Sequence, residues 1–367
     1  MTTYYVGSGG NDGNAGTSWA TRKLTLNGAE DIPVQAGDTV YVAPGVYRET
    51  LTCDVDGTSG AGVITYIGDY DGSHTDGVGG IVRISGSNND TSATRTFGIY
   101  CLKDYRTFKG FTFDYVTGYG IEVQSGAAAN IIIEKCYFQP GNKVGVEVNY
   151  ATTAVTIRNC YFDGCSTGIG IIHSSTVDSS AIAVENCIFT NCTTSVNLTR
   201  YGGVTVRNCL FWGGTGLGRG VYMPTSPAAG QTCTVNNCLF WGCYRAMEAG
   251  AAGFLVEDYN NIIAANAARV NVAVGAHSTA YPIMADPRWF FEMVNGGTML
   301  TPFDLASYSQ LIDVAGTSPT TADMRGTTVQ GAQREWGALE YDSTLKIKAG
   351  TGGGLLTNPG MTGGMRG

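Results

Sequence analysis

Five stretches decide the fold: residues 131–138 (IIIEKCYF), 155–162 (VTIRNCYF), 182–189 (IAVENCIF), 204–211 (VTVRNCLF) and 233–240 (CTVNNCLF). They share one order: apolar, any, apolar, polar, Asn or Lys, Cys, any, Phe. Weaker copies flank them at 108–113 (FKGFTF) and 254–261 (FLVEDYNN). Cys136, Cys160, Cys187, Cys209 and Cys238 are 24, 27, 22 and 29 residues apart. A fixed motif with a variable remainder is the signature of a solenoid whose loops differ in length. Each copy alternates with period two, so it is a strand. A second alternating strand follows in each repeat: 120–123 (GIEV), 145–148 (GVEV), 168–171 (GIGI), 195–198 (SVNL), 220–223 (GVYM) and 269–272 (RVNV). Two or three short strands per coil, joined by Gly and Asn turns, predict an all-β parallel β-helix, with coils about 4.8 Å apart.

Equivalent residues of successive coils then stack in columns. The cysteines form an inner column, and Phe138, Phe162, Phe189, Phe211 and Phe240 form another. Thiols in that position read as small buried hydrophobes. Asn159, Asn186, Asn208 and Asn237 stack at a corner, where asparagine tolerates left-handed backbone. The outer column Lys109, Glu134, Arg158, Glu185, Arg207, Asn236, Glu257 nearly alternates in sign, and opposite charges on neighbouring strands stabilise each other by roughly 0.2–1 kcal/mol.

Composition agrees. Of 367 residues 53 are Gly, 43% are hydrophobic and only 14% are charged, which suits many tight turns around a real core and excludes disorder. A net charge of −8 argues against nucleic acid as partner, and no apolar run is long enough for a membrane helix. Residues 1–5 show no secretory leader pattern, so the 11 cysteines are expected as reduced thiols.

Residues 36–49 (AGDTVYVAPGVYRE) resemble the opening of right-handed parallel β-helix proteins of the pectate-lyase-like superfamily. Ala285-Asp286-Pro287, Ser318-Pro319, 323–326 (DMRG) and 336–341 (WGALEY) resemble its closing phrases. The resemblance implies a right-handed coil with an N-terminal capping helix, placed at 21–30, and an irregular C-terminal closure. The expected organisation is 1–60 for the cap and first coils, 61–284 for the main coils and 285–343 for the closing segment. Residues 344–367 form a Gly-rich arm, in which Leu355, Leu356, Met361 and Met365 are candidate assembly contacts. The superfamily holds lyases, hydrolases, phage tailspikes and inert structural proteins. Its pectate-lyase signature is clustered aspartates with an arginine base. Its polygalacturonase-like signature is NTD, DD, GHG and RIK. Neither occurs here, and His173 lacks flanking glycines.

The columns also expose candidate sites. The outward column of the second strand reads Glu122, Glu147, Gly170, Asn197, Tyr222, Glu248, Asn271. It sets Glu122 and Glu147 on adjacent rungs, where their repulsion raises one pKa and suits acid–base work. His173, Arg200 and Tyr201 lie on the following rungs. Asn197, Tyr222, Trp212 and Trp241 are candidate glycan contacts. Asp69, Asp71 and Asp76, within 69–76 (DYDGSHTD), form a partial calcium-loop pattern without the terminal glutamate. No other cofactor is expected.

These features suggest a non-enzymatic, receptor- or glycan-facing component of a tailed-phage particle. It would be a homo-oligomer, a trimer by preference, meeting other virion proteins. The alternatives are a polysaccharide lyase or glycoside hydrolase, and an adhesin-like solenoid at the cell surface or outside the cell.

Overall fold

A computed structural model describes residues 1–31, 34–124, 130–149, 154–177, 181–213, 218–225, 231–263 and 266–280, with the strands Phe291–Met293 and Phe303–Leu305. The 285–343 closing segment, apart from those two strands, and the 344–367 arm with Leu355, Leu356, Met361 and Met365 lie outside the described residues.

The chain winds as a right-handed parallel β-helix with three faces, sheets of ten, ten and nine strands among the described residues. One coil shows the path: Val155–Arg158 in the first sheet, Tyr161–Asp163 in the second and Thr167–Val177 in the third, then Ile182–Glu185 back in the first. The first sheet already begins with Thr3–Val6, which pairs with Thr39–Val42, so coils reach into the stretch assigned to the cap. Helical structure there is split into a 3-10 turn, Trp19–Thr21, and a helix, Leu26–Asp31.

The core is a set of like-on-like stacks. Phe113, Phe138, Phe162, Phe189, Phe211 and Phe240 stack face to face, with centroids 4.5–4.9 Å apart and planes within 8°. Beside them Cys136, Cys160, Cys187, Cys209 and Cys238 are fully buried. All 11 cysteines are buried and free, and burial pushes the Cys136, Cys187 and Cys238 thiols well above the usual range. Between the first and second sheets the chain turns through left-handed residues, Asn159, Asn186, Asn208 and Asn237, at φ 51–56°. Asparagine takes this backbone more readily than other side-chain-bearing residues.

The outer column Lys109, Glu134, Arg158, Glu185, Arg207, Asn236 is in register. Glu134 sits between Lys109 Nζ at 3.5 Å and Arg158 Nη2 at 2.6 Å, and Glu185 pairs with Arg207. The last member corrects the reading from sequence: Asp258 faces Asn236, whereas Glu257 faces Val235 and points inward. The left-handed turn of that coil falls at Tyr259 (φ 55°), which moves the outer position to Asp258. A similar slip occurs in the third sheet, where Val270 rather than Asn271 pairs with Glu248 and Asn271 is itself left-handed.

Two buried ion pairs are set into this apolar framework. Glu30, on the helix, takes both guanidinium nitrogens of the fully buried Arg106 and the Tyr66 hydroxyl at 2.6 Å. Glu257 accepts from Arg269 Nε at 2.8 Å, Asn260 Nδ2 at 2.7 Å, Ser278 Oγ at 2.5 Å and Gly275 N at 2.7 Å. Removing one partner of such a pair leaves an uncompensated buried charge.

Truncating a mid-ladder ring, Phe189→Ala, is expected to cost about 3–5 kcal/mol. Lys109→Ala, at the exposed end of the outer column, is expected to cost about 1 kcal/mol or less. Chemical denaturation of the two variants measures both; equal costs would contradict the stacked-core account.

Candidate functional site

The third sheet carries the two glutamates singled out from the sequence. Its outward register runs Thr52, Tyr100, Glu122, Glu147, Gly170, Asn197, Tyr222, Glu248, one residue per coil. Strands Val116–Val123 and Val144–Asn149 present the two glutamates because Ile121, Val123, Val146 and Val148 alternate with them into the core. Adjacent parallel rungs are about 4.8 Å apart, so two carboxylates meet on one face.

Their surroundings differ. Asn149 Nδ2 donates to Glu122 Oε1 at 2.6 Å. Burial raises the Glu122 pKa, and this hydrogen bond opposes the rise. Glu147 has no such donor among the described contacts. Burial, with the Glu122 charge second, pushes it to about 7. Its carboxylate lies where a side chain at Gly170 would begin: a Cβ built there would stand 1.9 Å from Glu147 Oε2. Each glutamate is only 4% exposed.

Aromatic rings wall the pair on one side. Phe97 stacks on Tyr100 at 4.6 Å and on Tyr119 at 5.9 Å. Burial raises the Tyr119 pKa, and the charges of Glu147 and Glu122 raise it further. On the other side Asn197 and Tyr222 follow, two and three rungs past Glu147. The Arg219 guanidinium lies 4.5 Å over the Tyr222 ring, and Arg219 and Arg245 both pair with Glu248.

The structure separates the other candidates. Trp212 and Trp241 pair in the second sheet, on a different face from Asn197 and Tyr222. His173 belongs to strand Thr167–Val177, and its side chain lies outside the described residues. Asp69 and Asp71 gather with His74, their ligand atoms within 4.8 Å of one another. Asp76 is not in that group and caps Val78 N. Asp69 is engaged by His74 N and Thr75 Oγ1, and Asp71 by Ser73 N. Calcium takes six to eight oxygen ligands, and two occupied carboxylates with an imidazole fit it poorly. The aromatic wall was missed in the sequence; its signal was the FGIY of 97–100, one rung before the first second-strand copy at 120–123.

The family described as "Right handed beta helix region" matches residues 84–268, half of the chain. The chain belongs to this right-handed β-helix family. No curated protein matches its sequence. Among solved structures it is similar to XylC in complex with xylose (14% identity, TM-score 0.58, 76% of this chain and 70% of that one). It is also similar to pectate lyase Pel9A (17%, 0.53, 93% and 97%) and to a rhamnogalacturonan lyase (18%, 0.54, 74% and 74%). At these identities the likeness establishes the β-helix fold.

Glu147 also sets a pH dependence. Its pKa is about 7 in the fold against an ordinary 4.5. Above pH 7 the fold holds a buried charge. Between about 7 and 4.5 it takes up a proton before the unfolded chain does, so stability rises as pH falls through that window. Glu147→Gln is expected to remove roughly 3 kcal/mol of this variation, at 1.36 kcal/mol per pH unit. Denaturation midpoints at pH 5 and 8 test this; an unchanged pH dependence in the variant would contradict the assignment.

Proposed function

We propose that this β-helix protein binds a polysaccharide along its third sheet and cleaves a glycosidic bond there. Glu147 is the proton donor and Glu122 the ionised partner. The observation that carries this reading is the adjacent-rung carboxylate pair with divergent environments. Asn149 hydrogen-bonds Glu122, while Glu147 is held near pH 7 and retains its proton for a leaving oxygen. Burial raises both carboxyls, and the Asn149 hydrogen bond counteracts it at Glu122 alone; such a difference is how acid and base roles are divided at neutral pH. Adjacent rungs, about 4.8 Å apart along the backbone, can bring two carboxyls to the close spacing that a retaining hydrolysis needs. In that scheme Glu122 attacks the anomeric carbon as Glu147 protonates the departing oxygen. Water, deprotonated by Glu147, then releases the sugar from Glu122.

The solved relatives named for polysaccharide lyases support the carbohydrate-active alternative over the virus-particle reading. Neither the particle role nor a trimer finds support among the relatives. The net charge of −8 disfavours a polyanionic substrate and points to a neutral or weakly charged glycan.

The test is turnover on a panel of neutral and uronate-bearing polysaccharides, read as new reducing ends and as unsaturated products. The wild-type chain is expected to release reducing ends without unsaturated products. Glu147→Gln and Glu122→Gln are each expected to lower kcat by about 100-fold or more. Unsaturated products would replace hydrolysis by elimination, and no turnover on any member would overturn the reading.

A further inference from the structure

Like charges meet on adjacent rungs at a second place. On the first sheet the register Lys109, Glu134, Arg158, Glu185, Arg207 never sets two charges of one sign side by side. On the third sheet Arg219 pairs directly with Arg245, and like charges in that relation destabilise each other. Among the described residues their one ion-pair partner is Glu248, which takes Arg219 Nε at 2.8 Å and Arg245 Nη1 at 2.5 Å. Two positive charges against one negative leave a positive surplus. The Arg219 and Arg245 side chains are 36% and 30% exposed, so that surplus faces solvent. The Arg219 guanidinium also lies 4.5 Å over the Tyr222 ring, which holds it against the sheet. In a chain with a net charge of −8, this is a local field of the opposite sign, one that attracts an anion.

We propose that Arg219 and Arg245 bind an acid group, a carboxylate or a sulfate ester, carried by a sugar of the bound glycan. This rests on the reading of the third sheet as the glycan-binding face, and not on the catalytic roles of Glu122 and Glu147. A guanidinium presents its N–H donors in a planar fork that matches the paired oxygens of such a group. Glu248 engages one nitrogen of each arginine and so fills only part of either fork. The register gives the position. Glu147, Gly170, Asn197 and Tyr222 follow one another, so the Arg219 rung stands three spacings, about 14 Å, beyond Glu147. The Glu147 carboxylate leans the same way, over Gly170. A polysaccharide running along the sheet meets the carboxylate pair and the cation pair a few sugar units apart. An acid group on every sugar would also bring negative charge against Glu122 and Glu147. The arrangement therefore selects a sparsely acidic polysaccharide, neutral at the glutamates and acidic at the arginines.

The test is affinity electrophoresis of the full chain carrying Glu147→Gln, so that no hydrolysis alters the gel. The native gels contain glucuronoxylan, xanthan or carrageenan, each beside its carboxyl-reduced or desulfated form. Retardation by an acidic polymer, lost with its neutralised form, is expected; the uronate polymers report a carboxylate and carrageenan a sulfate ester. Arg219→Gln and Arg245→Gln are each expected to weaken the binding about tenfold, the loss of one charged hydrogen bond. Glu248→Gln is expected to strengthen it severalfold, because both arginines lose their internal counter-ion; a cluster that only held the coils together would not respond in this direction. Far-UV circular dichroism identifies the variants that fold. Equal retardation by a polymer and its neutralised form, no retardation by any acidic polymer, or binding that Glu248→Gln leaves unchanged or weakens in a folded chain would overturn the proposal. Arginine-dependent retardation by a protein whose wild-type chain turns over no polysaccharide would overturn the catalytic reading and leave this site standing.

Discussion

In-register parallel stacking is the constraint from which the rest of this molecule follows. Each residue meets its own counterpart one coil above and one below at about 4.8 Å. Side chains that gain from self-contact repeat: flat phenyl rings, small thiols and left-handed asparagines. Side chains that lose from it must alternate with an opposite. That is why Lys109, Glu134 and Arg158 follow one another on neighbouring strands.

Glu122 and Glu147 break this rule. Two like charges occupy adjacent positions, where repulsion and burial both oppose ionisation. The surrounding residues accommodate the conflict without removing it. Asn149 bonds one carboxylate, and Gly170 leaves room for the other. A self-stacking scaffold leaves few places for catalytic asymmetry, and such a place shows itself as a failure of the stacking code. The same contrast explains why the Asp69, Asp71 and His74 group is less suggestive: its carboxylates are largely satisfied by the turn that holds them.

The repeat made the coils legible from sequence, because periodicity two within strands and a recurring Cys-x-Phe fix both register and inner face. The Glu122–Glu147 adjacency followed from that register alone. What was not legible lay where the repeat frays. The copy at 254–261 has neither Cys nor Phe at the motif's sixth and eighth positions, so its outer position reads one residue too early, at Glu257 instead of Asp258. Arg106 sits just ahead of the recognised part of the 108–113 copy, and its buried partner Glu30 comes from 76 residues away. A long-range charge pair has no periodic signal. The aromatic wall of Phe97, Tyr100 and Tyr119 was missed because the coil that carries Phe97 and Tyr100 precedes the clear repeats.

The two buried pairs, Glu30–Arg106 and Glu257–Arg269, have a consequence for which coils are interchangeable. Nothing in a phenyl ladder distinguishes one interior coil from the next. Arg106 breaks that equivalence: it stands between Ile64 and Ile131 in the first sheet, and the carboxylate that meets its charge comes from Glu30, 76 residues away. Deleting or repeating that coil would leave a buried charge without its partner, an obligation the Phe138 to Phe240 ladder does not carry.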